Sequence, residues 1–165
     1  MMTKIEILVV ALVIGLMGLL SGAAVMTARA HTRDVTRLAH IRELQMGLEM
    51  YFQDLSSYPA SADAIALGQA LTACLSSEGF SAPCSSNGPT PYLEAVPTPP
   101  EQGLKGLSTC ADVEDAYCFI ANEDEYRIQF ELENRNGALG VQAGLNCATE
   151  DGIKAGTCSS LTTAE

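Results

Sequence analysis

The chain has 165 residues, enough for one domain with a modest core, and a formal net charge of −11. Residues 1–55 hold five basic and five acidic side chains, so the remaining 110 carry four basic against fifteen acidic. A region this acidic repels nucleic-acid phosphates, which argues against direct DNA binding and leaves a solvated surface as the plain meaning of the charge.

The first 55 residues read as one long helix over 3–55, since no proline occurs before Pro59. Residues 7–28 carry no charge. As a helix these 22 residues span about 33 Å, enough for a bilayer core of about 30 Å. A buried core helix of that length keeps a polar face, and a cleaved signal has a shorter apolar run, so a membrane span is the reading taken. Gly18 and Gly22 form a G-x-x-x-G spacing that permits close helix approach, and ordinary membrane-helix glycine explains them equally well. Past the span, Leu38, Ile41, Leu44, Leu48, Tyr51 and Leu55 recur every three or four residues, an amphipathic stripe that must pack on something.

Ser56-Ser57-Tyr58-Pro59 ends this helix. Ser61 looks like the N-cap of a second helix over 62–77, and residues 76–106 read as an irregular Ser/Pro/Gly-rich loop with a helical turn at 92–96. Strands are expected over 116–121, over 126–132 by strict alternation, and over 138–143, with turns at 122–125 and 134–137. They form a small antiparallel sheet with one wet face, and the helix stripe is the available cover for the other. The acidic stretches at 122–125 and 150–152 read as surface turns, and the tail from 159 as disordered.

All six cysteines (Cys74, Cys84, Cys110, Cys118, Cys147, Cys158) follow the apolar segment, without a C-x-x-C pair or a neighbouring histidine. That pattern argues against zinc and for disulfides in an oxidising compartment. Sequence-local pairing gives Cys74–Cys84, Cys110–Cys118 and Cys147–Cys158, one of the fifteen pairings open to six cysteines, with free buried thiols as the alternative. Arg29, Arg33 and Arg37 after the span favour a cytoplasmic C-terminal side, whereas the cysteines favour its export. The cysteines decide the orientation taken here. The only histidines are His31 and His40, and no nucleophile, phosphate-loop or metal-ligand spacing occurs, so neither an enzyme nor a cofactor is expected.

Met2-Thr3-Lys4-Ile5-Glu6-Ile7-Leu8-Val9-Val10 resembles the Phe-Thr-Leu-Ile-Glu-Leu-Leu-Val-Val start of mature type IV pilins and pseudopilins. The likeness continues through Ala28-Arg29-Ala30, then Arg37-Leu38-Ala39-His40-Ile41-Arg42-Glu43-Leu44-Gln45 and Leu48-Glu49-Met50-Tyr51-Phe52-Gln53-Asp54, and ends in the tyrosine-proline exit at Ser57-Tyr58-Pro59. Tyr92-Leu93-Glu94-Ala95-Val96-Pro97 also resembles a loop phrase of that family. The resemblance implies an α+β, type IV pilin-like fold, one long N-terminal helix packed on a small antiparallel sheet. Residues 1–28 would be the transmembrane and filament-core half, and 29–165 the exported head. The head would divide into the amphipathic helix half to about 55, a short helix and loop over 56–106, the sheet over 107–158 and a flexible tail.

The resemblance also implies a subunit of a type IV pilus or a type II secretion pseudopilus. It would enter the inner membrane, be cut and methylated by a prepilin peptidase, and join an extracytoplasmic filament through an assembly platform. Met2 takes the place of the methylated residue and Glu6 that of the assembly glutamate. Only Met1 precedes Met2 where the family has a basic leader ending in glycine, for which a mis-called start or a trimmed chain is the expected reason, and Lys4 replaces an apolar residue. An ionised Glu6 inside a bilayer costs about 2.5–3.5 kcal/mol, and Lys4, two residues away, does not face it. A positive amino terminus on a neighbouring subunit would relieve that cost. The residue chemistry alone equally allows Glu6 to complement its own helix N-terminus. A different class is a non-polymerising, membrane-anchored binding protein with a disulfide-bonded domain.

Overall fold

The computed structural model describes residues 4–159, apart from positions 83, 85–87, 101 and 111 and the side chains at 20 and 23. Helix α1 (Lys4–Leu55) runs for 52 residues, about 78 Å. It stops where Ser56 takes a left-handed φ of 56° while its N–H still donates to the Phe52 carbonyl at 2.8 Å. Pro59 follows three residues on and forbids a restart.

The two halves of α1 differ in what covers them. The described side chains from 4 to 29 are all exposed, whereas Ile41, Leu44 and Leu48 are fully buried and Tyr51 nearly so. Leu38 packs half-buried on the same core. Leu55, expected on that stripe, is 43% exposed, because it is the last helical residue and the chain turns away at Ser56.

The stripe lies on a five-stranded antiparallel sheet in the order β1-β4-β5-β6-β7, with strands β1 (Ser61–Ala66), β4 (Cys118–Ala121), β5 (Tyr126–Leu132), β6 (Gly144–Thr149) and β7 (Gly152–Ala155). A separate hairpin joins β2 (Cys74–Ser76) to β3 (Gly79–Ser81). In β5, Tyr126, Ile128, Phe130 and Leu132 are at most 1% exposed and meet the helix stripe in one core. Aromatic edges knit that core, with Tyr58 to Tyr126 at 4.8 Å and Phe80 to Phe119 at 5.0 Å between ring centroids.

The α+β class and the long helix on a small antiparallel sheet agree with expectation, and several elements do not. The helix expected over 62–77 is absent: β1 pairs with β4 through Ile65 and Phe119, and Leu67 donates to the Tyr117 carbonyl at 2.9 Å. Tertiary pairing overrides the capping signal at Ser61, whose hydroxyl instead donates to the Asp63 carbonyl. Gly68, at φ 75°, then breaks the segment against Pro97 and Thr98. The helical turn expected over 92–96 does not form: the chain bends on both sides of Leu93, which exchanges hydrogen bonds with Leu75 on the open edge of β2.

The strand expected over 116–121 starts only at Cys118, because Ala116 and Tyr117 spend their backbone groups on Ser108 and Leu67. The strand expected over 138–143 is replaced by a 3-10 turn at Gly137–Leu139, capped by the Asn136 side chain and ended by Gly140 at φ 69°. The next strand is β6, held at its start by Asn146, which exchanges hydrogen bonds with Gln142. The outer sheet face is not uniformly wet: Glu131 is 3% exposed, and its carboxylate accepts the Lys105 and Leu107 N–H groups at 2.9 Å each. The acidic stretches at 122–125 and 150–152 lie at the β4–β5 and β6–β7 connections. Of the tail expected from 159, Ser159 accepts a hydrogen bond from Arg127 at its carbonyl, and the rest lies outside the described residues.

Candidate functional site

The exposed half of α1 is the unusual surface of this protein. Among the described residues, thirteen large apolar side chains between Ile5 and Met26 stand 44–76% exposed. Burying them all would release roughly 20 kcal/mol, at about 1.5 kcal/mol each. That exceeds the whole stability of a typical domain, so this half requires lipid or protein around it. It is also long and apolar enough to cross a membrane. Ser21 and Thr32 return their hydroxyls to the Met17 and Ala28 carbonyls at 2.8 and 3.0 Å, so neither carries an open donor toward such surroundings. A methyl group added at Gly15, Gly18 or Gly22 meets nothing within 4 Å, so nothing within the chain requires glycine there.

Glu6 sits in the first turn of α1 and is exposed, where a carboxylate complements the positive end of the helix dipole. Met2 lies outside the described residues. Lys4 is exposed two residues before Glu6 and does not share its helix face.

Where the apolar half meets the head, a buried charge cluster fixes the rod. Arg37 has no exposed side-chain surface, and it donates to Asp34 at 2.9 Å, to Glu133 at 2.8 Å, and to the Pro100 and Gln102 carbonyls at 2.7 and 2.6 Å. Arg33 grips Glu133 bidentately at 2.7 and 2.6 Å. Asp34 accepts from the backbone N–H groups of Glu133 and Asn134 at 2.9 and 2.8 Å and from the Asn134 amide at 2.9 Å. Hydrogen bonding from Arg33, then from Arg37, holds the Glu133 carboxyl below its usual range against the opposing effect of burial. Gly103 closes the cluster, because a Cβ there would sit 2.1 Å from a Glu133 carboxylate oxygen.

Sequence reasoning took Arg33 and Arg37 only as cations flanking the span. The apolar stripe at Leu48, Leu44 and Ile41, continued backward at the same three-four spacing, lands on Arg37 and Asp34. A charge pair at core positions is the signal that was available, although its partner Glu133 lies 96 residues further on.

The six cysteines form the three sequence-local disulfides Cys74–Cys84, Cys110–Cys118 and Cys147–Cys158, with Cα separations of 5.5, 5.4 and 5.1 Å. Each ties an irregular segment to a strand, and such bonds belong to an oxidising, extracytoplasmic setting. His40 lies 3.2 Å from the Tyr117 hydroxyl, and burial lowers its pKa despite the nearby Glu43. His31 is exposed on the neck of the rod. Among the described residues no group of three or more His, Cys, Asp or Glu side chains is arranged to hold a metal ion. No protein-family model, curated protein or solved structure matches the chain.

Proposed function

We propose that this chain is a structural subunit of a type IV pilus-like or type II secretion pseudopilus filament, inserted in the inner membrane and assembled through its N-terminal helix. One observation carries the reading: a single 52-residue helix is apolar and uncovered along its first half and clamped to a disulfide-bonded head along its second. An anchor alone needs about 20 residues and no continuous stiff link to its head. A continuous helix clamped at the neck transmits position from the buried half to the head, as a filament requires. The resemblance of the first sixty residues to type IV pilins supports the same reading.

In this reading the apolar half lies in the bilayer before assembly and in the filament core afterwards. Met2 is the processed and methylated residue, and Glu6 aligns each incoming subunit by pairing with the amino terminus of a neighbour. The test is Glu6→Ala, expressed with the assembly machinery. The variant should accumulate in the membrane at wild-type level and yield no filaments in the sheared-surface fraction. Normal filaments from it would refute the role of Glu6. Crosslinks through cysteines placed in the apolar half separate a filament from a non-polymerising anchored binding protein, since only a filament gives ladders.

A further inference from the structure

A groove of about 580 Å³ opens between α1 and the β6–β7 turn. Met46 and Met50, 66% and 41% exposed, form its apolar wall, and Glu49, Glu150 and Asp151 its acidic one. Its other charge, Arg42, lies nearly two helical turns before Glu49, toward the neck. Asp151 already pairs with Lys154 at 3.6 Å, and Glu49 accepts the Tyr58 hydroxyl at 3.0 Å. Glu150 makes no ion pair among the described residues. The Tyr126 side chain also lines the groove. It is 1% exposed, and its hydroxyl lies near the Gln45 amide without a well-formed hydrogen bond. A buried hydroxyl beside two carboxylates and two thioethers suits a cation carried on an apolar stem.

The chain itself presents such a knob. Arg29 is exposed and makes no ion pair among the described residues, while Val25 and Met26, 49% and 75% exposed, share its helix face at the i−4 and i−3 positions. Once a neighbour covered those apolar groups, an unpaired guanidinium among them would be costly. Arg29 and Glu49 are 20 residues apart, about 30 Å along the axis and about 160° around it. The knob and the groove therefore lie on nearly opposite sides of one rod, where they can meet only on different copies.

We infer that the groove receives the Val25-Met26-Arg29 turn of a second copy of this chain, with Arg29 between Glu49 and Glu150. The two parallel rods that share this contact are thereby staggered by about 30 Å, so they are a different pair of copies from the pair joined through Glu6. The contact is head-to-tail and does not close on itself, so it propagates. This rests on the filament reading above and adds its register.

The test uses the full chain assembled by its own machinery. A photo-crosslinking residue in place of Met46 should give dimers whose adduct maps to residues 25–29 of the partner copy. Arg29→Glu and, separately, Glu150→Arg should each lower filament yield about tenfold, and the double charge swap should restore it. Glu150 is exposed and makes no hydrogen bond or ion pair among the described residues, so its variant reports on assembly rather than folding. A second photo-crosslinker at Leu16 reports on assembly itself. Ladders from Leu16 with a Met46 adduct elsewhere, for example on the Glu43 turn, would overturn the stagger alone, as would a swap that fails to rescue. Absence of ladders from both positions would overturn the filament reading together with it.

Discussion

The neck cluster makes a quantitative demand on stability. Replacing Arg37 with Met keeps most of the stem volume and removes four bonds, two to carboxylates and two to the Pro100 and Gln102 carbonyls. Removing one partner of a buried ion pair costs about 3–5 kcal/mol. Here the carboxylates keep other donors, three N–H groups for Asp34 and the Arg33 fork for Glu133, so the low end applies, about 3 kcal/mol. For a chain of this size that lowers the melting temperature by roughly 6–12 °C. Arg33→Met loses a pair whose arginine is 24% exposed and screened by solvent, so its cost is well below that of Arg37→Met. Arg37→Lys should retain most of the Arg37→Met loss, because one ammonium cannot reach two carboxylates and two carbonyls at once. The assay is thermal unfolding of the full chain in mild detergent, followed by near-ultraviolet circular dichroism of its tyrosines and disulfides. An Arg37→Met melting temperature within about 2 °C of wild type, or an Arg33→Met loss as large as that of Arg37→Met, would refute this account of the neck.

Two further outcomes follow from the same cluster. Gly103→Ala should cost about 2–3 kcal/mol, because φ there is 83° and the added methyl meets a carboxylate that two arginines hold still, whereas Gly137→Ala, with open space around it, should leave the melting temperature unchanged. The cluster also sets an acid limit. The folded Glu133 pKa lies below its unfolded value, so its contribution is complete above about pH 4.5 and is lost as pH falls through the folded value. A melting-temperature profile from pH 7 to pH 3 should fall more steeply for wild type than for Glu133→Gln; parallel profiles would remove Glu133 from the acid response.

The parts legible in sequence were those with a long-range period or a local chemical constraint. The 52-residue helix, the β5 alternation and the sequence-local disulfides follow from apolar spacing, side-chain period and short cysteine separations. The misread elements are short strands whose signal comes from a partner. β1 is an edge strand of six residues, half of them exposed, and only its pairing with β4 distinguishes it from a capped helix start. β6 shows three successive buried residues, one of them Asn146, so no alternation announced it. Glu6 and the apolar half were visible as one charge at the end of an uncharged run. The neck was half visible, as charges at core positions whose partner Glu133, just past β5, only the fold supplies.

The positions of the arginines on α1 separate holding the head from recruiting a neighbour. Arg33 and Arg37 are consumed within the chain by Glu133 and Asp34, at the point where the head begins. Arg29 lies one turn earlier on the same side as Arg33, at the end of the uncovered half, and it pairs with no carboxylate among the described residues. If all three served only as flanking charge for a membrane span, their pairing state would not change within two turns of helix. The change falls where the helix passes from uncovered to covered. An arginine paired inside the fold stabilises the monomer alone, whereas one left at the edge of an apolar face gains a partner only when that face is covered. Arg37→Met should therefore lower the melting temperature of the unassembled chain, and Arg29→Glu should leave it unchanged while lowering filament yield. A drop of several degrees in the unassembled Arg29→Glu chain would show that Arg29 belongs to the neck and would end the distinction.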